Sequence, residues 1–131
     1  IIVMVAAVGD YRVSNPADSK IKKSGAGLVL ELQENRDILK EVGSRKDRQV
    51  VVGFAAETDD LVKNARAKLL KKNVEILVAN MVAGKGSAFG ADTNQAHLFF
   101  KDGREEQLPR MSKAELADII LDRAKEFLPD L

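Results

Sequence analysis

The chain has no cysteine and no tryptophan, and only one histidine (His97) and one tyrosine (Tyr11). Without cysteine it has no disulfide, thiolate nucleophile, iron–sulfur cluster or thiolate zinc site. One imidazole excludes a multi-histidine metal centre. Five Phe and one Tyr are too few for the aromatic platform on which single-stranded nucleic acid stacks. A charge of one sign is missing as well: 21 Lys and Arg against 20 Asp and Glu leave +1. No global field therefore draws the chain to nucleic acid or to an anionic membrane. No run approaches the roughly 18–20 apolar residues of a membrane span.

What remains is 131 residues, 45% apolar and 31% charged, the composition of one globular domain that needs no covalent staple. A cytoplasmic location is expected. The opening Ile1-Ile2-Val3-Met4-Val5-Ala6-Ala7-Val8 reads as a buried strand closed by Gly9. It has no basic region before it, as a signal peptide would. The chain starts inside this strand without Met, so a single domain over residues 1–131, truncated at its amino end, is expected.

Residues 9–27 are poor in apolar side chains and read as a long functional loop. Leu28–Leu32 alternates as a strand, and Asn35 is expected to cap a short helix that Gly43 ends. Gln49–Phe54 and Glu75–Asn80 are apolar runs expected to be buried strands. Between them lies a helix with Thr58 as N-cap, Leu61, Ala65 and Leu69 on one face, and Lys68, Lys71 and Lys72 near its end. Gly84–Gly90 reads as a loop. Asp102-Gly103 signals a two-residue hairpin between Ala96–Phe100 and Glu105–Leu108. Ser112 and Glu115 form a capping box for a last helix with Leu116, Ile119, Ile120 and Ala124 inward.

Strands alternating with helices imply an α/β, Rossmann-like three-layer fold with a mostly parallel sheet and a C-terminal antiparallel hairpin. Ligands of such sheets bind beyond the strands' carboxyl ends. That rule selects Ala6 to Asp10, Phe54 to Thr58, Asn80 onward and the helix start at Asn35. Each has a plain structural alternative. Asp10 equally caps a loop, Phe54 packs a core and Asn80 anchors a turn. Lys20, Lys22 and Lys23 suit a solvated basic turn, and Lys68 with Lys72 complements a helix dipole. The Gly84–Gly90 segment is no Walker A loop, and no dinucleotide fingerprint is present.

In combination the motifs are far more specific. AAVGDYR, KIKK, NRDIL, VVGFAAET, the helix with paired lysines, ILVAN, FGADTN and DGREEQLPRMSK occur in that order. The set resembles phosphopantothenate–cysteine ligase, the coenzyme A biosynthesis synthetase that bacteria often fuse behind a flavin-dependent decarboxylase. The resemblance runs from residue 1 to about residue 125 and corresponds to the later part of that domain. One departure is Arg36, where the family usually has proline between Asn and Asp. The earlier strands and an acyl-transfer asparagine of the family are not in the chain, nor is a flavin site.

The resemblance implies CTP-dependent joining of 4′-phosphopantothenate to L-cysteine through an acyl-cytidylate, with Mg²⁺ accompanying the CTP and no metal site made by the protein. It implies nucleotide contacts at Met4, Val5, Ala6 and Asp10, base contacts at Arg36, Asp37, Ile38, Leu39 and Phe54, and a further contact at Asn80. Lys68 and Lys72 would meet the phosphates, Ala6, Ala7 and Asp10 the substrate, and Lys20 the reacting acyl phosphate. Members of this type are homodimers, and an apolar hairpin edge carrying Leu98, Phe99 and Phe100 would be a natural pairing surface. Two other classes stay open: a catalytically silent nucleotide-binding piece of that enzyme, and a generic dinucleotide or redox domain.

Overall fold

The computed structural model describes residues 1–57, 60–81 and 93–129. In chain order its elements are β1 (Ile2–Met4), β2 (Tyr11–Val13), β3 (Leu32–Glu34), α1 (Ile38–Arg45), β4 (Val51–Glu57), α2 (Leu61–Lys72), β5 (Ile76–Met81), β6 (Thr93–Asn94), β7 (Ala96–Phe100), β8 (Glu105–Gln107), β9 (Met111–Ser112) and α3 (Lys113–Lys125). They divide into two compact units: Ile1–Val5 with Leu39–Leu131, and Ala6–Ile38.

The larger unit is built on a five-stranded sheet of order β1-β4-β5-β7-β8. β1, β4 and β5 are parallel, while β7 and β8 add antiparallel. Up to Ala56 and Ala79, β4 and β5 are free of polar side chains because both of their faces are covered. Alternate residues serve opposite cores. Val52, Ile76, Val78, Leu98 and Phe100 pack with Leu116, Ile120 and Ala124 of α3. Val51, Leu77, Ala79 and Phe99 pack with Ala65 and Leu69 of α2, with Leu39 and Val42 of α1 against them. Each of the larger side chains among them, Val, Leu, Ile or Phe, contributes about 1.5–3 kcal/mol by leaving water. Helix, sheet and helix make three layers, so the expected α/β fold is borne out.

Several boundaries differ from the sequence reading. The first strand is only Ile2–Met4, and Ile2 and Val3 are 36% and 39% exposed, because β1 is the sheet's edge with β4 as its neighbour. Gly43 lies within α1 rather than ending it. A Cβ there would fall on the carbonyl oxygen of Lys72. Asn73, in the left-handed conformation that closes α2, donates its Nδ2 to the Gly43 oxygen at 2.9 Å. Thr58 and the Gly84–Gly90 loop lie outside the described residues. Asp60 stands at the start of α2 with φ 45° and makes no side-chain cap.

The hairpin forms, but with a longer turn. Phe100 accepts from Gly103 N–H and donates to Arg104 O, both at 3.0 Å, which encloses Lys101, Asp102 and Gly103. Gly103, at φ 94°, takes the left-handed place that ends such a loop. Leu98, Phe99 and Phe100 are buried, since β7 lies between β5 and β8. The outer strand is Glu105–Gln107, a charged edge that corrects the expected apolar pairing surface. The Ser112–Glu115 capping box is present in full, and Leu116, Ile120 and Ala124 are inward as expected.

The smaller unit is an antiparallel ribbon of β2 and β3, with Arg12 opposite Gln33. The Leu28–Leu32 strand is displaced to Leu32–Glu34, because the pairing with Tyr11–Val13 sets the register. Leu28, Val29 and Leu30 are exposed, Val29 by 89%. Two strands alone bury little.

Candidate functional site

The residues implied by the family resemblance fall in both units: Ala6, Ala7, Asp10, Lys20, Arg36, Asp37 and Ile38 in the ribbon unit, and Met4, Val5, Leu39, Phe54, Lys68, Lys72 and Asn80 in the sheet unit.

In the ribbon unit the chain turns tightly where β1 has ended. Val8 N–H donates to Ala6 O at 3.1 Å, closing a three-residue turn over Ala7. Gly9 and Asp10 are then tied to Asn35. Asn35 N–H donates to Asp10 O at 2.7 Å, and its Nδ2 donates to Gly9 O at 2.7 Å. Arg12 donates from Nη1 to Asn35 Oδ1 at 2.9 Å and to Glu34 O at 3.2 Å. Asn35 is therefore a clasp, not the N-cap expected of it: helix α1 begins three residues later, and the amide is engaged by Gly9 and Arg12. The clasp sets the Asp10 backbone directly beside the segment Arg36–Ile38. Lys20 stands exposed in the intervening segment.

In the sheet unit, the parallel register brings Met4 beside Gly53, and Phe54 and Ala56 beside Val78 and Asn80. Phe54 and Asn80 thus share the face covered by α3, and Phe54 is half-buried against that core. Leu39 packs on the opposite face, where a Cβ at Gly53 would stand 2.6 Å from its Cδ2. Its side chain is half-buried against the core of that face. Phe54 stands at the middle of β4, not at the strand end expected of it. Helix α2 covers the sheet face opposite Phe54 and Asn80 while running back from the strands' carboxyl ends, Lys72 lying further from them than Lys68. The structure does not bring the paired lysines together with Phe54 and Asn80.

Asn80 is itself held. Asn94 Nδ2 donates to Asn80 Oδ1 at 3.0 Å, and Gln95 N–H donates to Asn94 Oδ1 at 2.8 Å. His97 packs: its ring stacks on Phe99 with centroids 4.4 Å apart. Among the described residues no group of three or more His, Asp or Glu could hold a metal ion, and no helix is long and apolar enough to cross a membrane. Arg12, which holds Asn35, and Asn94, which holds Asn80, were not singled out by the sequence reading. Both stand inside motifs that carry the resemblance, which was the available signal.

A mostly parallel sheet covered by helices on both faces, with small and polar residues towards the strands' carboxyl ends, defines an α/β domain of the kind that takes its ligands there. The family model of the DNA/pantothenate metabolism flavoprotein C-terminal domain matches residues 1–128, and the chain belongs to that family. It is 48% identical over 121 residues to the coenzyme A biosynthesis bifunctional protein CoaBC of Bacillus subtilis, covering 92% of this chain and 30% of that protein. The Escherichia coli K12 protein of the same name is 40% identical over 126 residues, covering 93% and 31%. The chain thus spans about a third of the length of these relatives. The crystal structure of the C-terminal domain of a CoaBC protein matches with TM-score 0.71 and 34% identity, over 94% of this chain and 53% of that one. A Cab2 mutant in complex with phosphopantothenate-cysteine matches at TM-score 0.68, over 94% and 43%; at 20% identity this likeness is one of fold. The resemblance read from the motifs is borne out at the level of the family.

Proposed function

We propose that the chain carries the synthetase chemistry of coenzyme A biosynthesis, joining 4′-phosphopantothenate to L-cysteine with CTP. The observation that carries the reading is the clasp between Arg12 and Asn35. It binds the Gly9-Asp10 turn to the Arg36–Ile38 segment, two of the motifs to which the resemblance assigns nucleotide contacts. The pantothenate carboxylate attacks the α-phosphorus of CTP, forming an acyl-cytidylate and releasing pyrophosphate. The cysteine amine then attacks the acyl carbon, an amide bond forms, and CMP leaves with the bonding electrons. Chemistry of this kind depends on positioning and charge neutralisation more than on proton transfer.

Asp10 is assigned to nucleotide and substrate, with Ala6 and Ala7 supplying unobstructed backbone beside it. Met4, Val5, Arg36, Asp37, Ile38 and Leu39 are assigned to the nucleotide, with Phe54 and Asn80 completing its contacts. Lys68 and Lys72 are assigned to the phosphates, and Lys20 to the reacting acyl phosphate. The donor set suits Mg²⁺ only as an ion carried by the nucleotide's phosphates, since the two assigned carboxylates, Asp10 and Asp37, belong to no group of three or more acidic or histidine side chains among the described residues. There it would neutralise phosphate charge. A cytoplasmic homodimer and a fused flavin-dependent decarboxylase belong to the same reading. The exposed apolar side chains of residues 28–32, rather than the hairpin, are the surface that suits a second copy.

A catalytically silent nucleotide-binding piece is the second reading, favoured by the 53% share of the solved domain that the chain covers. Pyrophosphate release on mixing the chain with CTP, 4′-phosphopantothenate and cysteine decides between them. Release that requires phosphopantothenate supports the synthetase. CTP binding without release supports the silent piece and overturns activity in this chain.

A further inference from the structure

We propose that Asn94 is a positioning residue that fixes the hydrogen-bonding polarity of Asn80, so that Asn80 offers an N–H donor to an acceptor atom of the bound nucleotide. The inference rests on the reading above, in which Asn80 meets that nucleotide.

A carboxamide is nearly symmetric in shape but carries an acceptor on one side and donors on the other. Which side faces a ligand is decided by its neighbours. Here the decision starts at the backbone. The N–H of Gln95 can only donate, and its acceptor is Asn94 Oδ1 at 2.8 Å. With its oxygen so engaged, Asn94 turns its Nδ2 to Asn80, 3.0 Å from Oδ1. Asn80 therefore spends its oxygen inward. Among the described residues its Nδ2 donates to no other side chain.

Both ends of this relay are held by sheet structure. Asn80 lies opposite Ala56 and Ala96 in the central sheet, and Asn94 is paired with Met111 in the β6–β9 ladder. Neither residue shifts without breaking a ladder. Asn80 also stands near the carboxyl end of β5, where ligands of a parallel sheet gather. A backbone N–H thus dictates, through two side chains, that a donor faces the ligand.

Asn94→Asp reverses the relay with little change of shape. One carboxylate oxygen still accepts from Gln95 N–H, and the other accepts from Asn80 Nδ2, so Asn80 turns its oxygen outward. Asn94→Leu removes the relay and leaves Asn80 free to choose either face. CTP affinity of the chain should fall about tenfold or more for Asn94→Asp and only about threefold for Asn94→Leu. The difference should persist at high salt, where a charge effect on the triphosphate would be screened. Exchange of the Asn80 side-chain amide protons, read by nuclear magnetic resonance without nucleotide, should slow in Asn94→Asp.

A merely structural Asn94 gives the opposite order. The isosteric Asp would then be tolerated in both melting temperature and affinity, and Leu would be worse in both. Affinities that track melting temperatures overturn the inference. Unchanged Asn80 amide exchange in Asn94→Asp overturns it even where CTP still binds the native chain. A native chain that binds no CTP overturns it together with the functional reading beneath it.

Discussion

Arg12 and Asn35 are 23 residues apart in the chain, and their side chains meet at 2.9 Å. Through Asn35 the guanidinium governs a turn it does not touch, because the same amide holds Gly9 O and the same residue's N–H holds Asp10 O. Asn35→Ala deletes two of these bonds in an exposed ribbon. We expect CTP affinity to fall about five- to tenfold, the equivalent of one or two ordinary hydrogen bonds. The melting temperature of the sheet unit should barely move. A large loss of stability with unchanged affinity would make the clasp a folding element only.

Gly43 carries a different kind of constraint. Its missing side chain admits the backbone of Lys72, and a carbonyl oxygen cannot swing aside as a side chain does. Gly43→Ala should destabilise the chain by about 1–3 kcal/mol, the usual cost of overpacking. In urea this appears as a lower midpoint with an unchanged m-value. A midpoint equal to that of the native chain would show that the two helices separate freely.

Glu75 gives the pH dependence its sign. It is 9% exposed, and Val51 N–H donates to Oε2 at 2.9 Å. Lys46, almost fully buried, and Lys101 at 3.2 Å both engage Oε1. Burial alone would raise this carboxyl, but the hydrogen bonds from Lys46, the Val51 amide and Lys101 outweigh it, and the pKa is lowered from 4.5. A lowered native value means stability that is fully present above the unfolded-state pKa and is lost as pH falls through the native one. Glu75→Gln should flatten the acid limb of the stability profile. Lys46→Met should cost about 1.5–3 kcal/mol at neutral pH, the loss of one charged hydrogen bond, since Lys101 and the Val51 amide still hold the carboxylate. An acid limb unaltered in Glu75→Gln would assign it to other groups.

The lysines separate by position. Helix α2 runs away from the strands' carboxyl ends, so Lys68→Ala should weaken CTP more than Lys72→Ala, and both losses should shrink with added salt. Cytidine should bind about as before. Lys20→Ala should lower kcat far more than CTP affinity, because a contact assigned to the reacting acyl phosphate acts on the transition state more than on ground-state binding. Equal losses for cytidine and CTP in the helix variants, or a Lys20 effect on affinity alone, would reverse these assignments.

Much of this was legible in the residues. Val50–Val52 and Ile76–Ala79 announce buried strands because a strand covered on both faces must be apolar throughout, and Ser112 with Glu115 announces a helix start because the pair satisfies two orphan donors. Tyr11–Val13 and Leu32–Glu34 were not legible as partners. Their pairing is long-range, and the apolar alternation of Leu28–Leu32 points to a register the ribbon does not use. Gly43 read as a helix end because a glycine inside a helix reveals its purpose only when a second backbone lies against it. Asp10, Asn35, Phe54 and Asn80 stood out by position, but that Asn35 clasps the Gly9-Asp10 turn and that Asn94 holds Asn80 shows only in the geometry.

Titration calorimetry of this chain with CTP in the presence of Mg²⁺, with ATP and UTP as comparators, tests the central claim most directly. The account predicts saturable binding at one site per chain, tighter for CTP than for ATP and weakened by Asp10→Asn. No binding of any nucleotide at millimolar concentration, or equal binding of all three that Asp10→Asn leaves unchanged, would contradict it.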